Sequence, residues 1–217
     1  MSDVVEEIVN LGDRSYSVVV GHGVLPRTKE MIPSSARRVA VVTQDGIPPA
    51  YIPSFGDLAV SMHVIGAGEN HKTLTTIERL CREFSQAGIT RGDVVVAVGG
   101  GMVTDVAGFA AASYHRGIPV VHVATSLLAM IDAAVGGKTA INSEYGKNLI
   151  GAFHSPVAVV IDFSWLQTLS DRDYAAGLAE VVKAGFIADG AILDLLLSLF
   201  LFIRFRKSGH QGRCAIL

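Results

Sequence analysis

The sequence predicts an α/β fold with a mostly parallel, Rossmann-like sheet. Short apolar runs of strand length recur along the chain, and several of them are separated by segments of helical periodicity. One run ends directly at three consecutive glycines, residues 99–101. A backbone without side chains at the end of a strand lets a ligand approach closely, and the helix that follows offers free N–H groups to a phosphate.

Seven segments are expected to be strands. The first two form a hairpin around residues 11–14, Leu-Gly-Asp-Arg, and most of the others are continuous apolar runs, typical of strands buried on both faces. The expected strands are residues 4–10, 15–21, 38–43, 58–65, 93–98, 118–123 and 157–161.

Three segments are expected to be helices. Residues 73–87 place apolar side chains such as Ile77, Leu80 and Phe84 at helical spacing and end before Gly88. The other two are residues 102–114, which are rich in small side chains, and residues 171–187, after which no strand pattern follows.

The pattern divides the chain into three regions. Residues 1–169 are expected to form the α/β nucleotide-binding domain, and residues 170–194 to begin a helical domain with its first helix. The apolar part of the remainder, residues 195–203, is far shorter than the roughly 20 residues that cross a bilayer. We interpret residues 195–217 as an aberrant tail, of the kind that an altered reading frame produces.

Composition narrows the function classes. The chain has 217 residues, of which 50% are hydrophobic and 18% charged, enough to bury a sizeable core. A net charge of −2 argues against nucleic acid or an anionic membrane as the main partner. Cys81 and Cys214 have no metal or redox spacing, and the acidic N-terminus lacks a signal-peptide pattern. A cytoplasmic location is therefore expected.

Two acidic residues stand beside glycine-rich segments. Asp105 follows the glycine run, although a tight turn with a solvated aspartate would give the same pattern, and the full G-x-G-x-x-G fingerprint is missing. Asp132 lies among apolar residues and is expected to be buried, so it needs a partner, for which Lys138 is the natural candidate. A purely structural ion pair is the alternative.

Other polar residues allow a binding or a structural interpretation. Glu69 and Lys72 precede a helix and could be a solvated first turn, and Thr125 with Ser126 could simply cap a helix. Three donors near glycine-rich, loop-like segments favour an anion site, namely Arg116, Lys147 and Asn148. Glu180 and Lys183 lie on one helical face, where an ordinary salt bridge competes with metal binding by the glutamate.

Four segments together resemble the 3-dehydroquinate synthase family of sugar-phosphate cyclases. The resemblance extends from the opening hairpin to about Asp194 and ends at Leu195. The four motifs occur in order and read GGGMVTDVAGFAAASYHRG (residues 99–117), AAVGGKT (133–139), GKNLIGAFH (146–154) and GLAEVVKAG (177–185).

The resemblance implies a lyase of the shikimate pathway, which leads to chorismate and the aromatic amino acids. Such an enzyme removes phosphate from the seven-carbon sugar acid phosphate DAHP and closes it to 3-dehydroquinate. NAD oxidises a substrate hydroxyl, phosphate is eliminated, and the carbonyl is then reduced again, so that NAD is not consumed. The resemblance also implies a divalent metal, Zn²⁺ or Co²⁺, and a homodimer.

The resemblance assigns roles to individual positions. Contacts to NAD are implied for Glu69, Lys72, Gly101, Met102, Val103, Thr104, Asp105, Thr125, Ser126, Lys138, Lys147, Trp165, Leu166, Gln167 and Thr168. Contacts to the substrate are implied for Asp132, Lys138, Asn148 and Lys183, with Arg116 reaching the site of a neighbouring subunit. Glu180 is the implied first metal ligand.

One departure from the family matters. The remaining metal ligands of the family are two histidines in a helical domain after the helix of Glu180, and only the isolated His210 follows here. The sequence therefore suggests a truncated member with an intact NAD-binding half and impaired catalysis. Alternatives are another sugar-phosphate cyclase, a metal-dependent glycerol or alcohol dehydrogenase, or a non-catalytic NAD-binding remnant that pairs with a full-length enzyme.

Overall fold

The computed structural model describes residues 4–198, which form one seven-stranded sheet, a separate two-stranded sheet and flanking helices. The strands are β1 (Val5–Val9), β2 (Tyr16–Gly21), β3 (Arg38–Gln44), β4 (Ala59–Ile65), β5 (Val94–Gly99), β6 (Val120–Ala124), β7 (Lys138–Ser143), β8 (Gly146–Phe153) and β9 (Ala158–Asp162). The main helices are α1 (Leu74–Gln86), α2 (Gly101–Ser113) and α3 (Asp171–Ile187).

The main sheet confirms the α/β prediction. Its strand order is β1-β2-β9-β6-β5-β3-β4, and every pairing is parallel except that of β1 with β2. All seven predicted strands are present, with ends within two residues of those expected. The ends of β5 and β6 are level, since Gly99 pairs with Ala124, and β9 ends beside them. Segments that leave these three strands therefore meet at one edge of the sheet.

The predicted helices are also confirmed to within one residue. Thr73 caps α1 by accepting the N–H of Thr76, and Ser170 caps α3 by accepting the N–H of Asp173. Small buried residues let α2 lie close to both sheets: a Cβ added at Gly108 would overlap the side chain of Thr139 in β7 and lie 3.5 Å from Cε1 of His122 in β6. Residues 191–198 are helical too, so the first positions of the expected tail continue a helix. The rest of that tail lies outside the described residues.

One expectation about the fold was wrong. The segments around Lys138 and Lys147 were not among the expected strands, and their glycines and polar residues suggested loops. They form the two antiparallel strands β7 and β8, with Ile141 paired to Ile150. Thr139 and Ile141 are buried, whereas Lys138 is exposed, so the pair has an inner face, and that face packs on α2. The alternation of exposed and buried residues in β7 is short and flanked by glycines and polar residues, so the sequence pattern did not indicate a strand.

The core covers both faces of the main sheet. The strands β5, β6 and β9 are buried along their whole length, as the continuous apolar runs predicted. Helices α1 and α2 cover one face, and irregular segments that carry Tyr51, Phe55 and Trp165 cover the other. Within residues 4–198, no helix combines the length and apolar character needed to span a bilayer.

A histidine lies within this core. His122, in β6, is only 2% exposed, and its Nδ1 atom has no hydrogen-bond partner among residues 4–198. Burial, with a smaller contribution from His154, lowers the pKa of His122 from 6.5 to about 4. His122 is consequently neutral in the folded protein at neutral pH.

This buried histidine predicts acid sensitivity. Between about pH 6.5 and pH 4 the unfolded chain binds a proton at His122 that the folded chain does not, so stability falls as the pH falls through this range. The full effect is about 3 kcal/mol. Urea unfolding of the His122→Gln variant between pH 7 and pH 4 should show a correspondingly shallower loss. The exposed His22→Gln variant is the control, and an unchanged slope in His122→Gln would contradict the prediction.

Candidate functional site

A cleft of about 410 Å³ lies between the start of α2 and the β7–β8 pair. It brings together several residues that the sequence analysis singled out. The cleft is lined by Asp105, Asp132, Ala133, Lys138, Thr139, Ala140, Asn148, Leu149, Gly151, Ala152 and Phe153. Two carboxylates, an ammonium group and an amide thus share one opening.

The glycine run is packed tightly against its neighbours. A Cβ at Gly99 would overlap the side chain of Val103, and a Cβ at Gly100 would lie 3.1 Å from Oγ of Ser126. A Cβ at Gly101 would lie 3.1 Å from Cβ of Ala133. The turn therefore stays narrow, and α2 begins at Gly101 with its first N–H groups at the carboxyl edge of the sheet. This arrangement suits a diphosphate.

A buried lysine joins three elements beside the cleft. The side chain of Lys72 is only 4% exposed, and its Nζ lies 2.5 Å from Oδ2 of Asp105 and 2.5 Å from Oδ1 of Asn148. Oε1 of Glu69 lies 3.9 Å away. The alternative of a solvated first turn is therefore wrong for Lys72, because its charge is paired inside the protein.

The environment of Asp105 combines two opposing effects. Burial raises the pKa of the Asp105 carboxyl above its ordinary value, while the hydrogen bond and the charge of Lys72 act in the opposite direction. The alternative of a solvated aspartate is thus also wrong. Asp105 and Lys72 stabilise each other's charges where solvent has little access.

The predicted pair of Asp132 and Lys138 is confirmed. Nζ of Lys138 donates to Oδ1 of Asp132 at 2.5 Å. The premise that Asp132 is buried was wrong, because its side chain is 39% exposed and that of Lys138 54%. Asp132 lies in a π-helical turn, Ala129–Ala133, and the chain reverses at Gly136 and Gly137, which both have positive φ. An exposed pair adds little stability, so its significance lies in its place at the cleft.

The ends of β6 and β9 carry further predicted residues. The N–H of Thr125 donates to the carbonyl of Gly99, and Oγ of Ser126 accepts the N–H of Ala129, which confirms the capping interpretation. Trp165 is buried and stacks on Tyr51 at a ring distance of 4.7 Å. The turn Phe163–Thr168, which includes Leu166 and Gln167, therefore has a structural anchor beside the same edge.

Some predicted site residues do not present side chains to the cleft. Val103 and Thr104 are buried, and the hydroxyl of Thr104 donates to the carbonyl of Gly101. The N–H groups of both residues donate to the carbonyl of Gly100, so neither is free for a phosphate. Met102 packs partly against the core. Arg116 follows the opposite end of α2, about 20 Å from its start at 1.5 Å per residue. The structure does not bring Arg116 to the cleft of its own chain.

The predicted metal ligand is engaged in an ion pair. Glu180 contacts Lys183 one helical turn away, as the salt-bridge alternative anticipated. That hydrogen bond, together with the charges of Glu180 and Asp132, raises the pKa of Lys183. Among residues 4–198, no three His, Cys, Asp or Glu side chains lie close enough to share a metal ion. The described residues therefore do not fit a metal by themselves.

Two residues beside the cleft escaped the sequence analysis. The hydroxyl of Tyr16 accepts the N–H of Gly136 at 2.9 Å and so anchors the turn before Lys138. Asn142 bonds to both Glu69 and Asn148. The sequence alone could not reveal the role of either residue. The partner of Tyr16 lies far along the chain, and Asn142 lies in β7, a strand that was not expected.

Comparison with known proteins gives a consistent assignment. The model of the 3-dehydroquinate synthase N-terminal family matches residues 62–176. A 3-dehydroquinate synthase of Nitrobacter hamburgensis is 48% identical over 203 residues, which make up 90% of this chain and 53% of that protein. The chain thus spans about half the length of the curated relatives it matches.

Solved structures of two sugar-phosphate cyclases resemble this one. The 2-epi-5-epi-valiolone synthase of Streptomyces hygroscopicus, solved with NAD⁺ and Zn²⁺, has a TM-score of 0.76 at 32% identity and covers 88% of this chain and 54% of that one. A 2-deoxy-scyllo-inosose synthase, solved with carbaglucose-6-phosphate, NAD⁺ and Co²⁺, has a TM-score of 0.74 at 32% identity. It covers 82% of this chain and 50% of that one.

The buried ammonium of Lys72 predicts a large effect on stability. Replacing Lys72 with Met leaves the Asp105 carboxylate buried without its cation, so the free energy of unfolding should fall by about 3 kcal/mol. The pKa of Asp105 should rise further. Urea unfolding and titration of Asp105 by NMR measure the two effects.

A double variant separates charge pairing from packing. Asp105→Asn in the Lys72→Met background removes the unpaired charge and should recover a large part of the loss. The exposed Lys147→Met variant is the matched control and should change stability by less than about 0.5 kcal/mol. An equal loss in the single and double variants would show that the pairing does not stabilise the cleft.

Proposed function

The chain belongs to the 3-dehydroquinate synthase family, and from this premise we propose that it binds NAD and a phosphorylated sugar acid in the cleft beside α2. The observation that carries the proposal is the glycine turn at residues 99–101, which has no side chains. α2 begins at this turn, at the edge of the sheet where β5, β6 and β9 end. Ligands bind at that edge in open parallel sheets. Family membership also favours a cyclase over the metal-dependent dehydrogenases.

NAD fits the residues of this edge. The N–H groups at Gly101 and Met102 would receive the diphosphate, and the hydroxyls of Thr125 and Ser126 lie at the neighbouring strand end. Backbone groups of residues 165–168, the carboxylate of Glu69 and the ammonium of Lys147 complete the proposed contacts. When bound, NAD supplies the acceptor and later the donor of a hydride.

The cleft also offers groups for an anionic substrate. Lys138 Nζ, held by Asp132 at the opening, can donate to a carboxylate or phosphate oxygen, and the amide of Asn148 can orient a hydroxyl. The carboxylate of Asp132 orients that ammonium at the opening. Lys183 is a further predicted substrate contact, and the charge of Asp132 contributes to its raised pKa. Arg116 would serve a second subunit.

A divalent metal is the part of the proposal that the described residues do not complete. Glu180 stays a predicted ligand, and its other ligands are not found among residues 4–198. This observation favours a second candidate function, namely NAD binding without turnover. The cytoplasmic location and the homodimer stay predictions from the sequence.

Phosphate release separates the two candidates. The purified 217-residue chain would be incubated with DAHP, with NAD and Zn²⁺ supplied and then withheld one at a time. Release that requires both establishes the cyclase, whereas saturable NAD binding without release establishes the second candidate. A panel of other phosphorylated sugars tests whether DAHP is the preferred substrate, and a chain that does not bind NAD would contradict both.

The glycine turn predicts a specific loss of NAD affinity. Valine at position 101 would push α2 away from Ala133 and cover the first N–H groups, so Gly101→Val should weaken NAD binding by at least about tenfold, or about 1.4 kcal/mol. Titration calorimetry measures the affinity. Gly190→Ala, at a position with open space around it, is the control. Equal affinity of Gly101→Val and wild type would place NAD elsewhere.

A further inference from the structure

Asn142, in β7, makes three hydrogen bonds to residues beside the cleft. Its backbone N–H donates to the carbonyl of Lys72 at 2.9 Å. Its side-chain Oδ1 accepts the N–H of Asn148 at 3.0 Å, and its Nδ2 donates to Oε1 of Glu69 at 2.8 Å. One residue thus connects β7, β8 and the segment before α1.

The chemistry of the partners fixes the orientation of the Asn142 amide. A backbone N–H can only donate, so Asn148 requires an oxygen opposite it. An ionised carboxylate can only accept, so Glu69 requires the NH₂ group. Aspartate could satisfy Asn148 but would face Glu69 with a second negative charge, and alanine could satisfy neither partner.

The bond to Asn148 supports an unusual backbone conformation. Asn148 has φ of 59°, in the left-handed region, which asparagine adopts more readily than most other residues with a side chain. In this conformation its Oδ1 lies 2.5 Å from Nζ of Lys72, and the residue lines the cleft. Loss of the bond from Asn142 would remove a constraint on Asn148 and, through it, on the contact with Lys72.

We propose that Asn142 is a positioning residue, which holds Glu69 and Asn148 in the orientations that a bound dinucleotide and an anionic substrate require. The inference rests on the function proposed for this cleft. Asn142 does not line the cleft itself, so its effect on a ligand passes through its two partners.

The Asn142→Asp variant gives the sharpest test. The introduced carboxylate keeps an acceptor for Asn148 but repels Glu69, and Lys72, whose Nζ lies 3.9 Å from Glu69 and is itself paired with Asp105, offsets this only in part. NAD affinity relative to wild type should be at least about tenfold lower at pH 8. Lowering the pH should reduce the loss, because protonation of the introduced carboxylate removes the repulsion.

A second substitution checks the partner. Glu69→Gln replaces the repulsion with a donor, so the loss of NAD affinity caused by Asn142→Asp at pH 8 should be several-fold smaller in the Glu69→Gln background than in the wild-type background. Glu144→Gln, in the exposed turn between β7 and β8, is the matched control. A defect of Asn142→Asp that is independent of pH and not relieved by Glu69→Gln would overturn the proposal, as would no defect at all.

A separate measurement distinguishes failure of this inference from failure of the proposed function. Hydrogen exchange of the Asn148 amide, followed by NMR without ligand, should be faster in Asn142→Ala and near the wild-type rate in Asn142→Asp. If wild type does not bind NAD, the proposed function fails, and the exchange rates still decide whether Asn142 holds Asn148. Unchanged exchange in Asn142→Ala would overturn the positioning role.

Discussion

A lysine ammonium that leaves water must be paired, and this requirement organises the cleft. Lys72 meets it with Asp105 from α2 and Asn148 from β8, while its backbone carbonyl accepts a bond from Asn142 in β7. Three segments that are distant in sequence are thereby fixed around one charge. This network also shapes the cleft, because Asp105 and Asn148 both line it.

The glycine turn supplies the complementary constraint. Close packing at residues 99–101 brings the start of α2 against the ends of β5 and β6, and the polar groups then converge on the positive end of a helix. The same edge serves as the ligand site in parallel α/β sheets generally. The family relationship and the local geometry thus favour the same location for an anionic cofactor. Glu180 is paired with Lys183, and the described residues provide no further ligands for a metal beside it.

Local sequence patterns predicted the main sheet and its helices, but they did not predict the hydrogen bonds around Lys72 and Asn142. Buried strands such as β5 and β6 were predictable because continuous apolar runs report burial on both faces. The β7–β8 pair was not, because its short alternation is flanked by glycines and rests on a helix. The burial of Lys72 could not be predicted from its polar surroundings, since its partners lie 33 and 76 residues away, and Asn142 meets Glu69 across 73 residues.

Hydrogen exchange measured by mass spectrometry on the 217-residue chain, with and without saturating NAD, would show where the cofactor binds. Binding in this cleft should add protection at residues 100–105 and 125–126 and along the β7–β8 pair, with no change at the opposite edge of the sheet around residues 86–92. Protection confined to other segments, or no protection at any NAD concentration, would contradict the placement of the cofactor in this cleft.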